Sequence, residues 1–215
     1  MLMRTRVSLV ALAVAIALAL PVGASAAPII VDADAFAVGT NITSAFAGVL
    51  LSSVGAGFDG DSDLAIYSID PSAWVEPYLA STGRLVFGTN DRSLPHLFGG
   101  SGNASFRIDF ASHASMVSLD FISNDSSDGA ELMAYDAGGF LVDSYLTLFL
   151  GLNGVETMNV TGDIAYVIAS GQAGSSIGFD NLQYESAGEP VPEPASMLLF
   201  GTGLVGLRAW RKRRQ

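Results

Sequence analysis

Residues 104–121 carry the pattern that most constrains the fold. Apolar side chains occupy every second position in two short stretches: Phe106, Ile108 and Phe110, then Val117, Leu119 and Phe121. A period of two places alternate side chains on opposite faces of a β-strand. The polar residues between them, such as Arg107 and Asp109, are then expected on an outward face. The pattern predicts antiparallel strands with one buried face.

Similar short segments recur along most of the chain, separated by turn-forming residues such as Ala137-Gly138-Gly139 and Thr161-Gly162-Asp163. The remaining strand candidates are residues 29–31, 46–51, 64–67, 85–87, 131–136, 140–145, 156–160, 164–169 and 177–184. Residues 95–100 are expected to form a loop. Strands of this length with turns about every eight to twelve residues predict an all-β fold, a single antiparallel β-sandwich of the jelly-roll type.

The N-terminus has the three parts of a secretory signal. Arg4 and Arg6 precede the uncharged run of residues 7–20, and Ala24-Ser25-Ala26 supplies small residues before a cleavage site. We therefore expect a signal helix in residues 1–26, cleavage between Ala26 and Ala27, and export by the secretion machinery.

The C-terminus has a different organisation. Val191-Pro192-Glu193-Pro194 precedes the thirteen uncharged residues 195–207, and a basic cluster follows: Arg208, Arg211, Lys212, Arg213 and Arg214. A relaxed membrane-spanning helix needs about 20 apolar residues. This run predicts a short transmembrane helix that spans only if Arg208 extends its charge to the interface. The basic cluster should then stay cytoplasmic.

This tail resembles a PEP-CTERM sorting signal, since the motif, the apolar helix and the basic end occur in order. The resemblance implies a protein of a Gram-negative-type envelope that is held briefly in the inner membrane. A membrane-embedded exosortase would remove the tail, leaving the protein at the cell surface or outside the cell. The alternative is an ordinary C-terminal anchor. Either way, we expect a signal peptide at 1–26, one domain at 27–185, a linker at 186–190 and the sorting signal at 191–215.

A second resemblance lies in the body. It rests on the segments 106–110, 117–121, 134–139 and 177–182. They look like the jelly-roll bodies common among PEP-CTERM proteins, which are similar to galactose-binding-like and other carbohydrate-binding sandwiches. This resemblance implies the fold more than it implies a sugar site.

Charge narrows the range of partners. The net charge is -11, and the body keeps only Arg84, Arg92 and Arg107 against some twenty carboxylates. Such a surface repels nucleic acid and anionic membranes and attracts cations. We therefore expect no nucleic-acid partner. Cysteine is absent, so thiol catalysis and thiolate metal sites are excluded.

Two sets of carboxylates are candidate Ca²⁺ ligands. Asp59, Asp61 and Asp63 alternate, and Asp70 stands where a twelfth-position ligand would be. Leu64 stands where a calcium loop of the EF-hand type has Gly, so the alternative is a solvated acidic turn. In the second set, Asp180 would meet Asp32 or Asp34; alternatively Asp180 satisfies backbone groups at a strand bend.

Trp74, Tyr78 and Tyr135 are candidates for stacking on sugar rings, with ordinary packing as the alternative. Catalytic signals are weak, because His96 and His113 stand far apart and neither lies in H-E-x-x-H. No serine stands in G-x-S-x-G. We expect no enzymatic activity, although a carboxylate pair for glycoside hydrolysis is invisible in sequence.

The sequence therefore predicts a non-enzymatic secreted or cell-surface protein with a structural or adhesive role in an extracellular polysaccharide matrix. One alternative is a carbohydrate-binding module with a specific sugar site. The other is a polysaccharide-active hydrolase.

Overall fold

The computed structural model describes residues 27–55, 65–73, 79–91, 94–96, 98–99, 104–123, 125–172 and 175–187. The predicted signal peptide, the sorting tail and most of the predicted linker lie outside these ranges. Among the described residues, no helix is long and apolar enough to cross a membrane.

The described part of the chain is built almost wholly from β-strands. The eleven strands are β1 (Ile29–Val31), β2 (Val49–Val54), β3 (Tyr67–Ile69), β4 (Val86–Asp91), β5 (Leu94–His96), β6 (Phe98–Gly99), β7 (Ser105–Ile122), β8 (Ala130–Tyr135), β9 (Leu141–Thr147), β10 (Val155–Gly171) and β11 (Ser176–Ser186). Two short 3₁₀ helices, Ala33–Ala35 and Pro71–Ala73, lie between strands.

The strands pair in the order β3-β4-β11-β7-β10-β8-β9. Strands β1 and β6 also pair with β11, β2 pairs with β7, and β5 pairs with β4. Every strand-to-strand pairing in this set is antiparallel. Strands β7 and β10 are much longer than the others. They pair with each other, β7 also pairs with β2 and β11, and β10 also pairs with β8.

The sheet folds back on itself around phenylalanine rings. The Phe179 ring of β11 has its centroid 4.9 Å from that of Phe121 and 5.7 Å from that of Phe106. Phe121 and Phe106 belong to the same strand, and fifteen residues of straight strand span about 50 Å. One ring can contact both only because β7 bends across two packed layers. The expected all-β antiparallel sandwich is confirmed.

The alternation in β7 produces this core. Phe106, Ile108 and Phe121 are fully buried, whereas Arg107 and Asp109 between them keep about a third of their side-chain surface exposed. Phe87 of β4 and Phe98 of β6 pack on Phe106 with ring centroids 5.2 and 5.1 Å away. Each such aromatic pair contributes about 0.5–1.5 kcal/mol beyond the burial of its area.

Our prediction of separate strands at 104–110 and 117–121 was wrong, as was the break at Thr161-Gly162-Asp163. Each pair of segments forms one continuous strand, β7 and β10 respectively. The pairing register of β10 against β7 shifts between Thr161 and Tyr166, and Gly162 has a φ of 139°. A bulge of this kind bends a strand without ending it. A sequence cannot easily distinguish such a bend from a turn.

Several boundaries in the first half also differ from the prediction, including those of β3 and β4, which were expected at 64–67 and 85–87. Strand β2 begins at Val49 instead of residue 46, and the predicted loop at 95–100 contains part of β5 and all of β6. Strand β6 pairs with Ser176 and Ile177 of β11, far along the chain. Such short strands are fixed by tertiary pairing more than by their own residues.

Candidate functional site

The outward residues of β7, β10 and β8 form the most distinctive surface of the described chain. Tyr166 of β10 lies opposite Asp109 of β7 on one side and Tyr135 of β8 on the other. Residues directly opposite in antiparallel strands have their side chains on the same face. We name this surface the aromatic face and define it by Arg107, Asp109, Glu131, Tyr135 and Tyr166.

Three side chains of the aromatic face form a stack. The Arg107 Cζ atom lies 3.8 Å from the centroid of the Tyr166 ring. The Tyr135 ring lies 4.9 Å from the Tyr166 ring, with an angle of 11° between their planes. Tyr166 is therefore held between a guanidinium group and a second tyrosine. An exposed cation–π contact contributes about 0.5–1 kcal/mol.

The Arg107 guanidinium is fixed by Asp109. Its Nε donates to both carboxylate oxygens, at 3.1 and 2.9 Å, and its Nη2 donates to Oδ1 at 2.6 Å. These hydrogen bonds raise the pKa of Arg107 above its ordinary value. A forked ion pair of this type orients both groups in the absence of any ligand.

Tyr135 is the one predicted stacking residue that the structure describes. Its hydroxyl donates to the Met133 sulfur at 3.2 Å. Partial burial raises the pKa of its phenol, and the Tyr166 and Glu131 groups raise it further. Sequence reasoning missed Tyr166. The available signal was a tyrosine at an outward position of a strand.

A second polar group of residues lies on the later part of β7. Asp120, only 5% exposed, accepts from the Thr157 hydroxyl at 2.6 Å and from Asn181 Nδ2 at 3.1 Å. Gln183 Nε2 donates to the Asn181 amide oxygen at 2.9 Å. Asn181 has a φ of 49° at a register shift in β11. These contacts join residues 37 and 61 positions apart, so no local pattern predicts them.

Asp180 has no exposed surface and lies opposite Asp120 in the β11–β7 pairing. Its Oδ2 atom accepts from the Ser81 and Thr82 amides, at 2.9 and 2.8 Å, and from both of their hydroxyls. Its Oδ1 atom accepts from the Asn181 amide at 2.8 Å. Burial raises the pKa of Asp180, although these hydrogen bonds act in the opposite direction.

Asp34 binds residues 84 and 85, which follow shortly after the residues 81 and 82 bound by Asp180. Its Oδ1 atom accepts from the amides of Arg84 and Leu85, at 2.8 and 2.9 Å. Its Oδ2 atom is buried with no hydrogen-bond partner among the described residues. Asp32 Oδ1 accepts from the Asp34 amide at 2.8 Å. Asp34 and Asp180 thus both bind the segment of residues 81–85.

Asp70 is bound to its neighbours. It accepts from the Ser72 amide and hydroxyl, at 3.0 and 2.7 Å, and it forms an ion pair with Arg84. The Ser72 hydroxyl and Arg84 lower the pKa of Asp70.

In the described ranges no three His, Asp or Glu side chains are grouped so as to hold a metal ion. The hydrogen bonds of Asp70, Asp180 and Asp34 Oδ1 engage oxygens that Ca²⁺ would require. Calcium binding stays a prediction, and its ligands Asp59, Asp61 and Asp63 lie outside the described residues. Trp74 and Tyr78 lie outside them as well.

The two histidines lie on different strands, His96 on β5 and His113 on β7. His113 Nδ1 is 2.5 Å from Asp163 Oδ1 at the bend shared by β7 and β10. Both side chains are well exposed, and the contact links the two long strands.

The sequence also matches a known sorting signal. Residues 190–214 match the family model described as the PEP-CTERM protein-sorting motif. The chain carries a PEP-CTERM motif. This confirms the resemblance seen in the tail, and the motif indicates an exported protein of a Gram-negative-type envelope. A comparison with curated proteins finds no match.

Several solved structures are similar to this chain. The K2 cleaved adhesin domain of Lys-gingipain has a TM-score of 0.47 and 15% identity, over 74% of this chain and 99% of that one. TmCBM61 in complex with β-1,4-galactotriose has a TM-score of 0.38 and 14% identity, over 66% of this chain and 90% of that one. A fucose-binding module from Streptococcus pneumoniae has a TM-score of 0.36 and 13% identity, over 69% of this chain and 96% of that one. Similarity at this level does not transfer a ligand to this chain.

Proposed function

We propose that the exported body is a non-catalytic glycan-binding domain with an adhesive role in an extracellular polysaccharide matrix. The observation that carries this proposal is the Arg107–Tyr166–Tyr135 stack on the outward face of the sheet. Exosortase and the secretion machinery would be its partners during export, and a polysaccharide would be its partner afterwards.

The chemistry of the aromatic face suits a saccharide. Tyr166 lies against one face of the Tyr135 ring. Tyr135 is only partly buried, so the carbon–hydrogen face of a sugar ring can contact its exposed part. The Arg107–Asp109 pair places fixed nitrogen and oxygen atoms beside the rings, where hydroxyl groups can exchange hydrogen bonds with them. Because these groups are already ordered, binding costs little side-chain entropy.

The experiment measures oligosaccharide binding to the full chain held in an uncharged polyoxyethylene detergent. This detergent is chosen because maltoside headgroups are themselves saccharides. A glycan array identifies ligands, and titration calorimetry then compares Tyr135→Ala with Tyr145→Ala. Tyr145 is the control. It lies on β9 opposite the buried Leu132, so its side chain is on the opposite face of the sheet from Tyr135.

We expect Tyr135→Ala to weaken binding at least about tenfold, which corresponds to a loss of roughly 1.4 kcal/mol of binding free energy. Tyr145→Ala should leave affinity unchanged. Failure of every glycan to bind, or equal effects of the two variants, would remove the proposal.

The edge strand β9 favours a second candidate, a structural matrix protein that assembles with copies of itself. Large apolar side chains are exposed along β9 and beside it, including Phe140 at 73% and Phe149 at 72%. An unpaired sheet edge readily pairs with another strand. Asp143 is the only charged residue in β9, so two copies of an acidic body meet there with little repulsion.

Sedimentation velocity tests this candidate. The full chain should form oligomers that depend on concentration, and Leu146→Lys should dissociate them. If the wild-type chain and the Leu146→Lys variant are both monomeric at all concentrations, only the glycan-binding proposal remains.

A further inference from the structure

We infer that the saccharide bound at the aromatic face carries no anionic groups: the face accepts uncharged or amino-bearing sugars and rejects sugars with carboxylate or sulfate groups. This inference rests on the proposed glycan-binding function and specifies its ligand class. It follows from how the charges of the face are arranged.

The cation of the aromatic face is already neutralised. Arg107 uses its Nε and Nη2 donors on Asp109, and its Cζ atom lies over the Tyr166 ring. Asp109 does not engage the Nη1 donors, but its carboxylate, two residues away on the same strand, would stand beside any sugar carboxylate that approached them. An anionic ligand therefore gains no net charge pairing from Arg107.

Glu131 adds a negative charge on the same side. It lies on β8 with Met133 and Tyr135, and all three alternate with buried residues. It forms no ion pair with any described residue of the chain. It lies on the same face of β8 as Tyr135, four residues away, which is about 13 Å along a strand. A sugar anion stacked on Tyr135 would be repelled, whereas a protonated amino sugar would be attracted.

The remainder of the body strengthens this selection. Its arginines are Arg84, Arg92 and Arg107, and the only lysine of the chain, Lys212, is in the sorting tail. Arg84 is paired with Asp70. A polyanion approaching the acidic body therefore meets a repulsive field, which acts over about 10 Å at 0.1 M salt.

Three series of oligosaccharides of equal length test the inference. They are neutral N-acetylglucosamine oligomers, the same oligomers after deacetylation, and oligomers of a uronic acid. Binding to the full chain in polyoxyethylene detergent is measured by calorimetry at about 0.02 M and about 0.3 M salt, which changes the screening length severalfold. Glu131→Gln removes the negative charge and keeps a side chain of similar size. Glu156→Gln is the control, because Glu156 accepts a hydrogen bond from Tyr145 and is not part of the aromatic face.

We expect the chain to bind the neutral or the deacetylated series and to reject the uronic acids, most clearly at low salt. Glu131→Gln should weaken binding of a deacetylated oligomer about twofold to fivefold and leave a neutral oligomer unchanged. Glu156→Gln should change neither.

The two possible failures are distinguishable. Uronic acids that bind as tightly as neutral oligomers at low salt, and lose affinity in Tyr135→Ala, would overturn this inference and leave the glycan-binding function in place. If none of these oligomers and no glycan of the array binds, both the proposed function and this inference fall.

Discussion

The same two strands carry two polar surfaces that differ in kind. The early part of β7 and the late part of β10 present the aromatic face, where Arg107 and Asp109 remain about one third exposed. The late part of β7 carries Asp120, which faces Asp180 of β11, and these two carboxylates are nearly or fully buried. We call Asp120 and Asp180 the inner carboxylates.

What covers each surface explains the difference. Ile122 lies on the same side of β7 as Asp120 and packs with Ile69 of β3 and Val86 of β4. The chain itself therefore closes over the inner carboxylates. Residues 81 and 82 donate hydrogen bonds to Asp180, and Thr157 and Asn181 donate to Asp120. The aromatic face stays partly open, with about a third of the Arg107 and Asp109 side-chain surface exposed. Polar groups enclosed by the chain serve stability, whereas ordered groups left open are available to a ligand.

The largest expected effect is on stability, at the inner carboxylates. Asp180→Ala leaves two amides and two hydroxyls of Ser81 and Thr82, all part-buried, without their acceptor. An unsatisfied buried donor costs about 1–3 kcal/mol, and a part-buried one costs less because water can reach it, so urea unfolding should show a total loss of about 3 kcal/mol. The control Asp163→Ala, at an exposed ion pair, should cost less than about 1 kcal/mol. Equal losses would show that Asp180 does not hold this segment.

The next effect is on binding, at the aromatic face. Arg107→Lys keeps the charge but cannot form the fork with Asp109 or lie flat on Tyr166. Glycan affinity should fall severalfold while the free energy of unfolding changes by less than about 1 kcal/mol. Calorimetry and urea unfolding of the same preparations check both values. A stability loss like that of Asp180→Ala would make Arg107 a structural residue and erase the distinction between the two surfaces.

The local pattern of the sequence predicted the exposed surface better than the enclosed one. Alternation alone separates buried Phe106 from outward Arg107, and Tyr135 was recognisable as a stacking candidate. The partner Tyr166 depends on the register between β10 and β8, which alternation does not define. The contacts of Asp180 lie 98 and 99 residues away, in a segment whose own sequence shows only a turn. Long-range pairing and the bend at Gly162 were therefore beyond the sequence pattern.

Acidity should also separate the two surfaces. The folded state raises the pKa of Asp180 above its ordinary 3.8, so its stabilising contribution is complete below that value and is lost as pH rises through the raised pKa. The unfolding free energy of the wild type minus that of Asp180→Asn should therefore be greatest below pH 3.8 and decrease toward neutral pH. Glycan binding should show no parallel change. A difference that grows with pH would contradict the assignment of burial as the dominant cause.

The smallest expected effect comes from Asp120→Asn, because two consequences oppose each other. The amide can still accept from Thr157, but its NH₂ group then faces the Asn181 Nδ2 donor, which costs about 1 kcal/mol. Removing the charge also relieves its repulsion of Asp180, directly opposite, which by the size of cross-strand pairs is worth about 0.2–1 kcal/mol. Urea unfolding at neutral pH should therefore change by less than about 1 kcal/mol, with glycan affinity unaltered. In acid, where Asp180 is protonated, the relief disappears and the same variant should be less stable than the wild type. A constant difference across pH would mean that the two carboxylates do not repel each other, and that burial alone raises the pKa of Asp180.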